Sequence, residues 1–136
     1  MDNYFYLKNY TITKEDIDNE YHHLHHVRIV KLLETVRIDW FNEKLFSLEE
    51  LLIKGFLCVI TKLDLDFLRE IKEGEVAGVL SNLKLENKKI ILTQKLYNNK
   101  KKCLVSAVVN LVFIDITTKR GSVPPKGFLN KIKGYI

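Results

Sequence analysis

One run of residues near the C-terminal end, 103–116, constrains the fold more than any other, because almost every residue in it is apolar. As a strand, it carries apolar side chains on both faces. One face has Val105, Ala107, Val109, Leu111 and Phe113, and the other has Val108, Val112 and Ile114. A strand with two apolar faces is buried on both. We therefore expect a helix to cover one face and a partner subunit to cover the other.

A segment in the first third of the chain has the pattern of that helix. Apolar residues recur at helical spacing along it: Ile29, Leu33, Val36 and Trp40. Polar residues occupy the opposite side: Arg28, Lys31, Thr35 and Asp39. Further apolar residues widen the stripe beyond that of an ordinary surface helix: Val30, Leu32 and Phe41. The pattern predicts one long, well-buried helix.

Four other stretches have the β-branched or alternating composition of strands: 4–12, 56–67, 75–85 and 89–96. In the second of these, odd positions carry one apolar face: Val59, Leu63, Leu65 and Phe67. Asn87 and the pair Asn98-Asn99 supply turns between the later strands. Ser47 and Glu50 have capping-box spacing, which predicts a short helix over 47–54.

Near the end of the chain, Pro124 and Pro125 are predicted to open a final helix. Its apolar side would consist of Phe128, Leu129 and Ile132. The order of elements is therefore a strand, a long helix and four strands. One helix covers five strands only if the sheet curls around it. This predicts an α+β hotdog fold, a curved antiparallel sheet around one central helix. Its exposed edge strand would pair with a second copy of the chain.

The composition narrows the class of protein. A chain of 136 residues, 46% hydrophobic and 29% charged, predicts one globular domain over 1–136 and excludes a disordered chain. Cys58 and Cys103 lie in apolar runs, which is typical of reduced core cysteines. The N-terminus lacks a signal-peptide pattern, and no apolar run approaches the roughly 20 residues that cross a bilayer. We expect a soluble, cytoplasmic protein without membrane insertion.

The net charge of +5 suits nucleic acid, an acidic membrane surface or a polyanion such as CoA. The densest basic run, Lys100-Lys101-Lys102, falls at a predicted hairpin tip. No aromatic residues alternate with it, so base stacking is not indicated and nucleic acid is not an expected partner.

Three ordered motifs resemble the 4-hydroxybenzoyl-CoA thioesterase family of hotdog proteins. The first is Asp16-Ile17-Asp18 with histidines shortly before the long helix. The second is the helix segment Glu34-Thr35-Val36-Arg37-Ile38-Asp39-Trp40, close to the family pattern E-x-A-R-x-E/D-W/F. The third is Val112-Phe113-Ile114-Asp115 followed by Thr118-Lys119-Arg120 and Pro124-Pro125. Together they span nearly the whole chain.

The resemblance implies a homodimer or homotetramer that cleaves acyl-CoA or acyl-carrier-protein thioesters. It implies no metal and no cofactor other than CoA as part of the substrate. In the family pattern an acidic residue precedes the helix, and seven residues later a His or Asn at the helix start turns its backbone N–H toward the substrate carbonyl. Counting from Asp18 gives His25, whereas counting back from Arg37-Ile38-Asp39-Trp40 gives His26.

The chemistry of thioester hydrolysis fits these positions. Asp18 would act as general base or as nucleophile. Free N–H groups at the helix start would form an oxyanion hole, which contributes roughly 3 kcal/mol per donor. His25 or His26 would hydrogen-bond Asp18 or the substrate oxygen. Asp16 and Glu20 are alternative carboxylates for the same role.

Other polar residues offer further alternatives. Glu34 is a polar residue inside the buried helix, for which we favour a structural or interface role. His22 with His25 or His26 has metal-ligand spacing, but no Cys lies nearby and we predict no metal site. The CoA phosphates would meet positive side chains, for which the candidates are Lys84, Lys119 and Arg120.

Two other functions remain open: a carrier-protein thioesterase in lipid or polyketide synthesis, and a catalytically silent hotdog module that binds acyl groups. Asn19-Glu20-Tyr21 stands where the family has a loop glycine, which keeps the silent module open. Loss of turnover in Asp18→Asn, with the fold retained, would separate an enzyme from a binding module.

Overall fold

The computed structural model describes residues 4–16, 26–72, 74 and 76–133. The strands are β1 (Tyr4–Thr11), β2 (Phe56–Phe67), β3 (Val76–Glu86), β4 (Lys89–Tyr97), β5 (Cys103–Asp115) and β6 (Gly121–Ser122). The helices are α1 (His26–Lys44), α2 (Leu48–Lys54) and α3 (Phe128–Lys133), with a 3-10 turn over Lys14–Asp16. The five predicted strands and three predicted helices are confirmed, and β6 was not predicted.

All strand pairs in the sheet are antiparallel, and the strands lie in the order β1-β3-β4-β5-β2, with β6 paired to β5. This order makes β1 and β2 the edges of the sheet. Buried residues of α1 form one cluster with the buried residues of the strands. The predicted α+β architecture, an antiparallel sheet on one long helix, is confirmed.

The predicted burial of β5 is confirmed on one face. The side chains on the helix-facing side are buried: Val105, Ala107, Val109, Leu111 and Phe113. On the other face Val108 is 36% exposed, and Val112 and Ile114 are half-buried. The described residues therefore cover only one of the two apolar faces, and cover by a partner subunit stays a prediction.

Strand β2 has a β-bulge that changes its predicted face. Ile60 pairs with Leu111 and Lys62 pairs with Asn110, so Thr61 is an extra residue between them. An extra residue reverses the alternation of side chains along a strand. The residues that share the helix-facing side are Cys58 and Ile60 before the bulge, and Leu63, Leu65 and Phe67 after it. The prediction that Val59 shares a face with the later odd residues is therefore wrong.

Helix α3 begins at Phe128, later than the prolines that were predicted to open it. The Phe128 N–H donates to the carbonyl oxygen of Pro125 at 3.0 Å, and Gly127 has a positive φ of 90°. A left-handed residue interrupts helical geometry, so the helix starts after it. Phe128 and Ile132 are buried as predicted, whereas Leu129 is 45% exposed and does not belong to the buried side.

The capping box predicted for α2 is confirmed. The Glu50 N–H donates to Oγ of Ser47 at 3.1 Å, and the Ser47 N–H donates to Oε1 of Glu50 at 3.2 Å. Gly55, with φ of 91°, ends the helix in the left-handed conformation. The cap fixes where α2 starts, and thereby the position of Leu48 beside α1.

Candidate functional site

A pocket of about 190 Å³ lies between α1 and the edge of the sheet, and we call it the edge pocket. Its lining residues are Glu34, Arg37, Ile38, Phe41, Leu48, Cys58, Ile60 and Leu111. Most of these side chains are apolar, and the charged exceptions both come from α1. Such a combination, an apolar cleft with a few converging polar groups, is typical of a small-molecule site.

The helix wall of the edge pocket follows from the helical repeat. Glu34, Arg37, Ile38 and Phe41 are spaced at i, i+3, i+4 and i+7, which places them on one face of α1. An α-helix has 3.6 residues per turn, so this face lies next to the buried stripe of α1 and shares Arg37 and Phe41 with it. The pocket thus begins where the core stripe of α1 ends.

The opposite wall comes from two paired strands. Cys58 pairs with Phe113 and Ile60 pairs with Leu111, so helix-facing side chains of β2 and β5 stand side by side. Ile60 is 47% exposed although it faces the helix. The cause is the sheet order, since β2 is an edge strand and no further strand of the described residues lies beyond it.

Arg37 is the most unusual residue of the pocket, because its charged side chain is only 6% exposed. Its Nη1 donates to Oε1 of Gln94 at 2.9 Å. Nε2 of Gln94 donates to the carbonyl oxygen of Leu33 at 3.1 Å and to Oγ of Ser81 at 3.2 Å. Burial lowers the pKa of Arg37, and the nearby charge of Glu34 opposes that shift. The guanidinium keeps its charge, because arginine does not deprotonate in proteins.

Glu34 places a carboxylate on the same wall. Its Oε1 lies 3.0 Å from Nζ of Lys31, one turn back on the helix, and the pair is partly exposed. Glu34 was expected to have a structural or interface role, and the structure places it in the pocket lining.

Cys58 is the only thiol among the lining residues, and burial raises its pKa to about 12. The thiolate is the nucleophilic form of cysteine, and at neutral pH this group is a neutral thiol. Cys58 therefore contributes apolar surface to the pocket and is not an activated nucleophile. Cys58 and Cys103 are both free, as predicted, although each is half-buried rather than fully enclosed in the core.

Of the residues predicted to be catalytic, the structure describes one, His26, and it is not in the pocket lining. His26 is the first residue of α1 and is exposed, whereas Asp18, His25 and Glu20 fall outside the described residues. Glu34 follows His26 by eight residues, which is about 12 Å along the helix axis. His26 therefore does not line the edge pocket. The first turn of α1 contains no acidic residue, so no side chain of that turn neutralises the positive end of the helix dipole.

The third sequence motif forms a turn rather than part of the pocket. Oδ1 of Asp115 accepts hydrogen bonds from the backbone N–H groups of Thr117 and Thr118, at 2.8 and 3.1 Å. Oγ1 of Thr118 accepts one from the Arg120 N–H at 3.3 Å. These bonds close the turn from β5 to β6, so the motif has a structural role here.

The candidate residues for the CoA phosphates are not brought together. Lys84 lies in β3, and Lys119 and Arg120 lie in the turn after β5, with β4 between the two strands. Within the described ranges, no group of three His, Cys, Asp or Glu side chains has a metal-binding arrangement. None of the helices described is long and apolar enough to span a membrane.

Sequence reasoning missed Arg37, Gln94 and Cys58 as pocket or support residues. A signal for the first was present, because Arg37 stands four residues after Leu33 on the apolar stripe. Gln94 likewise is a polar residue in the alternating buried series of β4, whose other members are Ile90, Leu92 and Leu96. Neither pattern predicts that Arg37 bonds Gln94. The two residues are 57 positions apart in the sequence, and their contact depends on how α1 packs on β4.

One of the comparisons with known proteins identifies a family. The profile of the thioesterase-like superfamily matches residues 12–132. No curated protein sequence is similar enough to match this chain. Several solved structures share its fold at low sequence identity. A hypothetical protein from Staphylococcus aureus, solved in complex with CoA, is 21% identical with a TM-score of 0.85, over 99% of this chain and 85% of that one.

Two structures named as thioesterases are also similar. The YbaW probable thioesterase from Escherichia coli is 19% identical with a TM-score of 0.81, over 96% of this chain and 98% of that one. The DHNA-CoA thioesterase from Staphylococcus aureus is 16% identical with a TM-score of 0.79, over 96% of this chain and 88% of that one.

Proposed function

The chain belongs to the thioesterase-like superfamily and has its hotdog fold, and from this premise we propose that it hydrolyses an acyl-CoA to the free acid and CoA. The observation that carries the proposal is the edge pocket, an apolar cleft with the Glu34 carboxylate on its helix wall. The complex of the similar Staphylococcus aureus protein with CoA supports CoA as the thiol part of the substrate. We also propose a cytoplasmic location and no cofactor beyond this CoA.

We propose that hydrolysis proceeds by attack of water on the thioester carbonyl. A carboxylate takes a proton from the water, and the oxygen adds to the carbonyl carbon. The negative charge on the carbonyl oxygen is held by backbone N–H groups at the start of α1, next to His26. The C–S bond then breaks, and the CoA thiolate leaves and takes up the proton. A thiolate is a good leaving group, so a strong general acid is not needed.

The base of this reaction is Asp18 by the family pattern. Glu34 is the alternative that the pocket favours, and with Glu34 as base the thioester would be bound beside the pocket, about 12 Å from the start of α1, so that the N–H groups of that start would not hold its oxyanion. Asp18 follows the resemblance to 4-hydroxybenzoyl-CoA thioesterases, the finer family that we propose on the three motifs. Glu34 is the only carboxylate of the described residues that lines the pocket. His25 or His26 would orient the carboxylate or the substrate oxygen from the helix start.

The test is release of free thiol from short, long and aromatic acyl-CoAs. We expect wild type to hydrolyse at least one of them, and Asp18→Asn to lower kcat about 100- to 10,000-fold. The matched control is Glu49→Gln, which changes an exposed carboxylate of α2 outside the pocket. If activity survives in Asp18→Asn and is lost in Glu34→Gln, the base is Glu34. If wild type releases no thiol from any acyl-CoA, the proposed reaction is wrong.

We propose further that the enzyme is a homodimer that pairs along β2. This edge strand is 12 residues long, and its helix-facing side leaves Leu63 and Phe67 38% and 53% exposed. A long apolar edge strand is a template for pairing with another strand. A second copy at this edge would also close the open side of the edge pocket.

Light scattering tests the dimer. We expect wild type at twice the chain mass and Leu63→Asp at the chain mass, because a carboxylate cannot be buried at the edge without a partner. Asp66→Asn changes an exposed residue of the same strand and is expected to leave the dimer intact. A dimer in all three proteins would place the interface elsewhere, and a tetramer in wild type would add a second interface.

A further inference from the structure

Among the described residues, the opposite charge nearest to Arg37 is that of Glu34, which forms no salt bridge with it. The side chain is 6% exposed, and none of the ion pairs found among the described residues involves it. The nearest acidic residue of the pocket, Glu34, is paired with Lys31 at 3.0 Å. Burying an unpaired charge is strongly unfavourable, so buried arginines are normally paired with a carboxylate or phosphate. Within the described residues, Arg37 is therefore bonded to the neutral Gln94 and to no carboxylate.

Most of the hydrogen-bonding capacity of Arg37 is also unused within the described chain. A guanidinium has five N–H donors in a planar fork. The structure uses one nitrogen of Arg37, which donates to Oε1 of Gln94. The amide nitrogen of Gln94 is committed to Leu33 and Ser81, so the orientation of Gln94 is fixed and it offers Arg37 a single acceptor. Arg37 also lines the edge pocket.

The rest of the pocket suits hydrocarbon. Ile38, Phe41, Ile60 and Leu111 supply apolar walls. A cavity of roughly 150 Å³ with apolar walls binds a benzene molecule, so about 190 Å³ has room for several methylene groups. A ligand that fits both features has an apolar body and an anionic end.

We propose that the acyl group of the substrate carries a terminal carboxylate that binds Arg37, so that the preferred substrates are CoA thioesters of dicarboxylic acids. The inference rests on the proposed function and names its substrate class. A carboxylate matches the guanidinium fork with two parallel hydrogen bonds. Lys31, Glu34 and Arg37 together carry one net positive charge, so this group of side chains favours an anion.

The structure also provides a length scale. Arg37 follows His26 by eleven residues, which is about 16 Å along the axis of α1. A thioester held at the start of the same helix would need an acyl chain of roughly a dozen carbons to reach Arg37. A thioester held beside Glu34 would need only a short chain. The acyl length with the strongest carboxylate preference therefore reports where the thioester is bound.

The experiment compares matched pairs of acyl-CoAs from four to twelve carbons, one member ending in a carboxylate and the other in a methyl group. The measured quantity is the ratio of the two kcat/KM values at each length. We expect wild type to favour the carboxylate by roughly 10- to 100-fold at the best length. Arg37→Met should bring the ratio to about one. Lys44→Met, which likewise removes one positive charge at an exposed position, at the far end of α1, should keep the wild-type ratio.

A second variant separates recognition from folding. Gln94→Glu places a carboxylate beside Arg37 at the position that now donates and accepts through an amide. The guanidinium then has an internal anion, and the folded state keeps its buried contact. We expect Gln94→Glu to remain folded and to lose the carboxylate preference, because the internal carboxylate competes with that of the substrate.

The outcomes distinguish this inference from the proposed function. Equal hydrolysis of both members of every pair by wild type overturns the carboxylate preference and leaves the thioesterase intact. If no ester is hydrolysed, calorimetry with thioether analogues of the same pairs decides. Tighter binding of the carboxylate analogue that is lost in Arg37→Met supports the inference even though the protein hydrolyses none of the esters. Equal binding of the two analogues overturns it. A change of oligomeric state in Arg37→Met would place a carboxylate of a second copy on Arg37 and overturn it.

Discussion

Two regions of the molecule both lie between α1 and β5 but differ in burial and in charge. The aromatic cluster consists of Phe41, Phe46, Phe113 and Phe128. Its ring centroids lie 5.1 Å apart for Phe113 and Phe128, and 6.3 Å apart for Phe128 with Phe41 and with Phe46. The edge pocket lies beside it and shares Phe41. One region is filled and buried, and the other is open and contains charge.

The difference between them comes from what covers the outer side of each region. The aromatic cluster is closed by α3, which inserts Phe128, a fully buried side chain, between the rings. The edge pocket faces β2, where Ile60 remains 47% exposed and no other described strand follows. A region that its own chain closes contributes stability, whereas one that its chain leaves open is available to a ligand or a partner.

The largest effect should follow from opening the closed region. Phe128→Ala removes the ring that contacts three others, and we expect a loss of about 3–5 kcal/mol in the free energy of unfolding. Chemical denaturation monitored by circular dichroism measures it. The matched control is Leu129→Ala, the next residue, which is 45% exposed and should cost less than about 1 kcal/mol. Equal losses in the two variants would mean that α3 does not seal the cluster.

The two regions also differ in how far the sequence predicted them. Helical spacing gave the buried side of α1 because burial selects apolar side chains at a fixed period, and Ile29, Leu33, Val36 and Trp40 are all buried. The same reasoning placed Phe128 in the core. Local patterns were sufficient for these residues, because each is an apolar side chain that recurs at the spacing of a buried helix face.

The edge pocket could not be predicted in the same way. Its two walls are far apart in sequence, and Cys58 and Ile60 face α1 only because of strand pairing and a bulge at Thr61 that no local pattern shows. The contact of Arg37 with Gln94 depends on tertiary packing. Family resemblance directed attention to Asp18 and His25, and their roles stay predictions because they fall outside the described residues.

A smaller effect should follow from removing the polar support of the pocket. Gln94→Leu takes away the acceptor of Arg37 and leaves its buried charge without the bond, so we expect a loss of about 2–3 kcal/mol in the free energy of unfolding. Urea denaturation measures the loss. It tests whether the pocket, like the aromatic cluster, adds to the stability of the fold.

A double variant separates the bond from the packing of its members. In Arg37→Met combined with Gln94→Leu, both polar groups are gone, so the combined loss should be smaller than the sum of the two single losses. The expected coupling is about 1–2 kcal/mol. Strict additivity would mean that the 2.9 Å contact contributes nothing to stability and that Arg37 is held by other contacts.

The last effect concerns the thiol that lies between the two regions, since Cys58 lines the edge pocket and pairs with Phe113 of the aromatic cluster. Burial raises its pKa from 9.0 to about 12. Below pH 9 the thiol is protonated in both the folded and the unfolded chain. Between pH 9 and 12 the unfolded chain loses the proton and the folded chain keeps it, so stability falls by about 1 kcal/mol per pH unit.

Other groups titrate in the same range, so the measured quantity is the difference between wild type and Cys58→Ala. We expect the free energy of unfolding of wild type to fall more steeply above pH 9 than that of Cys58→Ala. Val59→Ala, a truncation at the neighbouring residue of β2 that removes no titrating group, should keep the wild-type slope. Equal slopes in all three proteins would mean that the Cys58 thiolate is solvated as well in the folded chain as in the unfolded one. The edge pocket would then admit water as far as β5, and an apolar acyl chain would gain little by entering it.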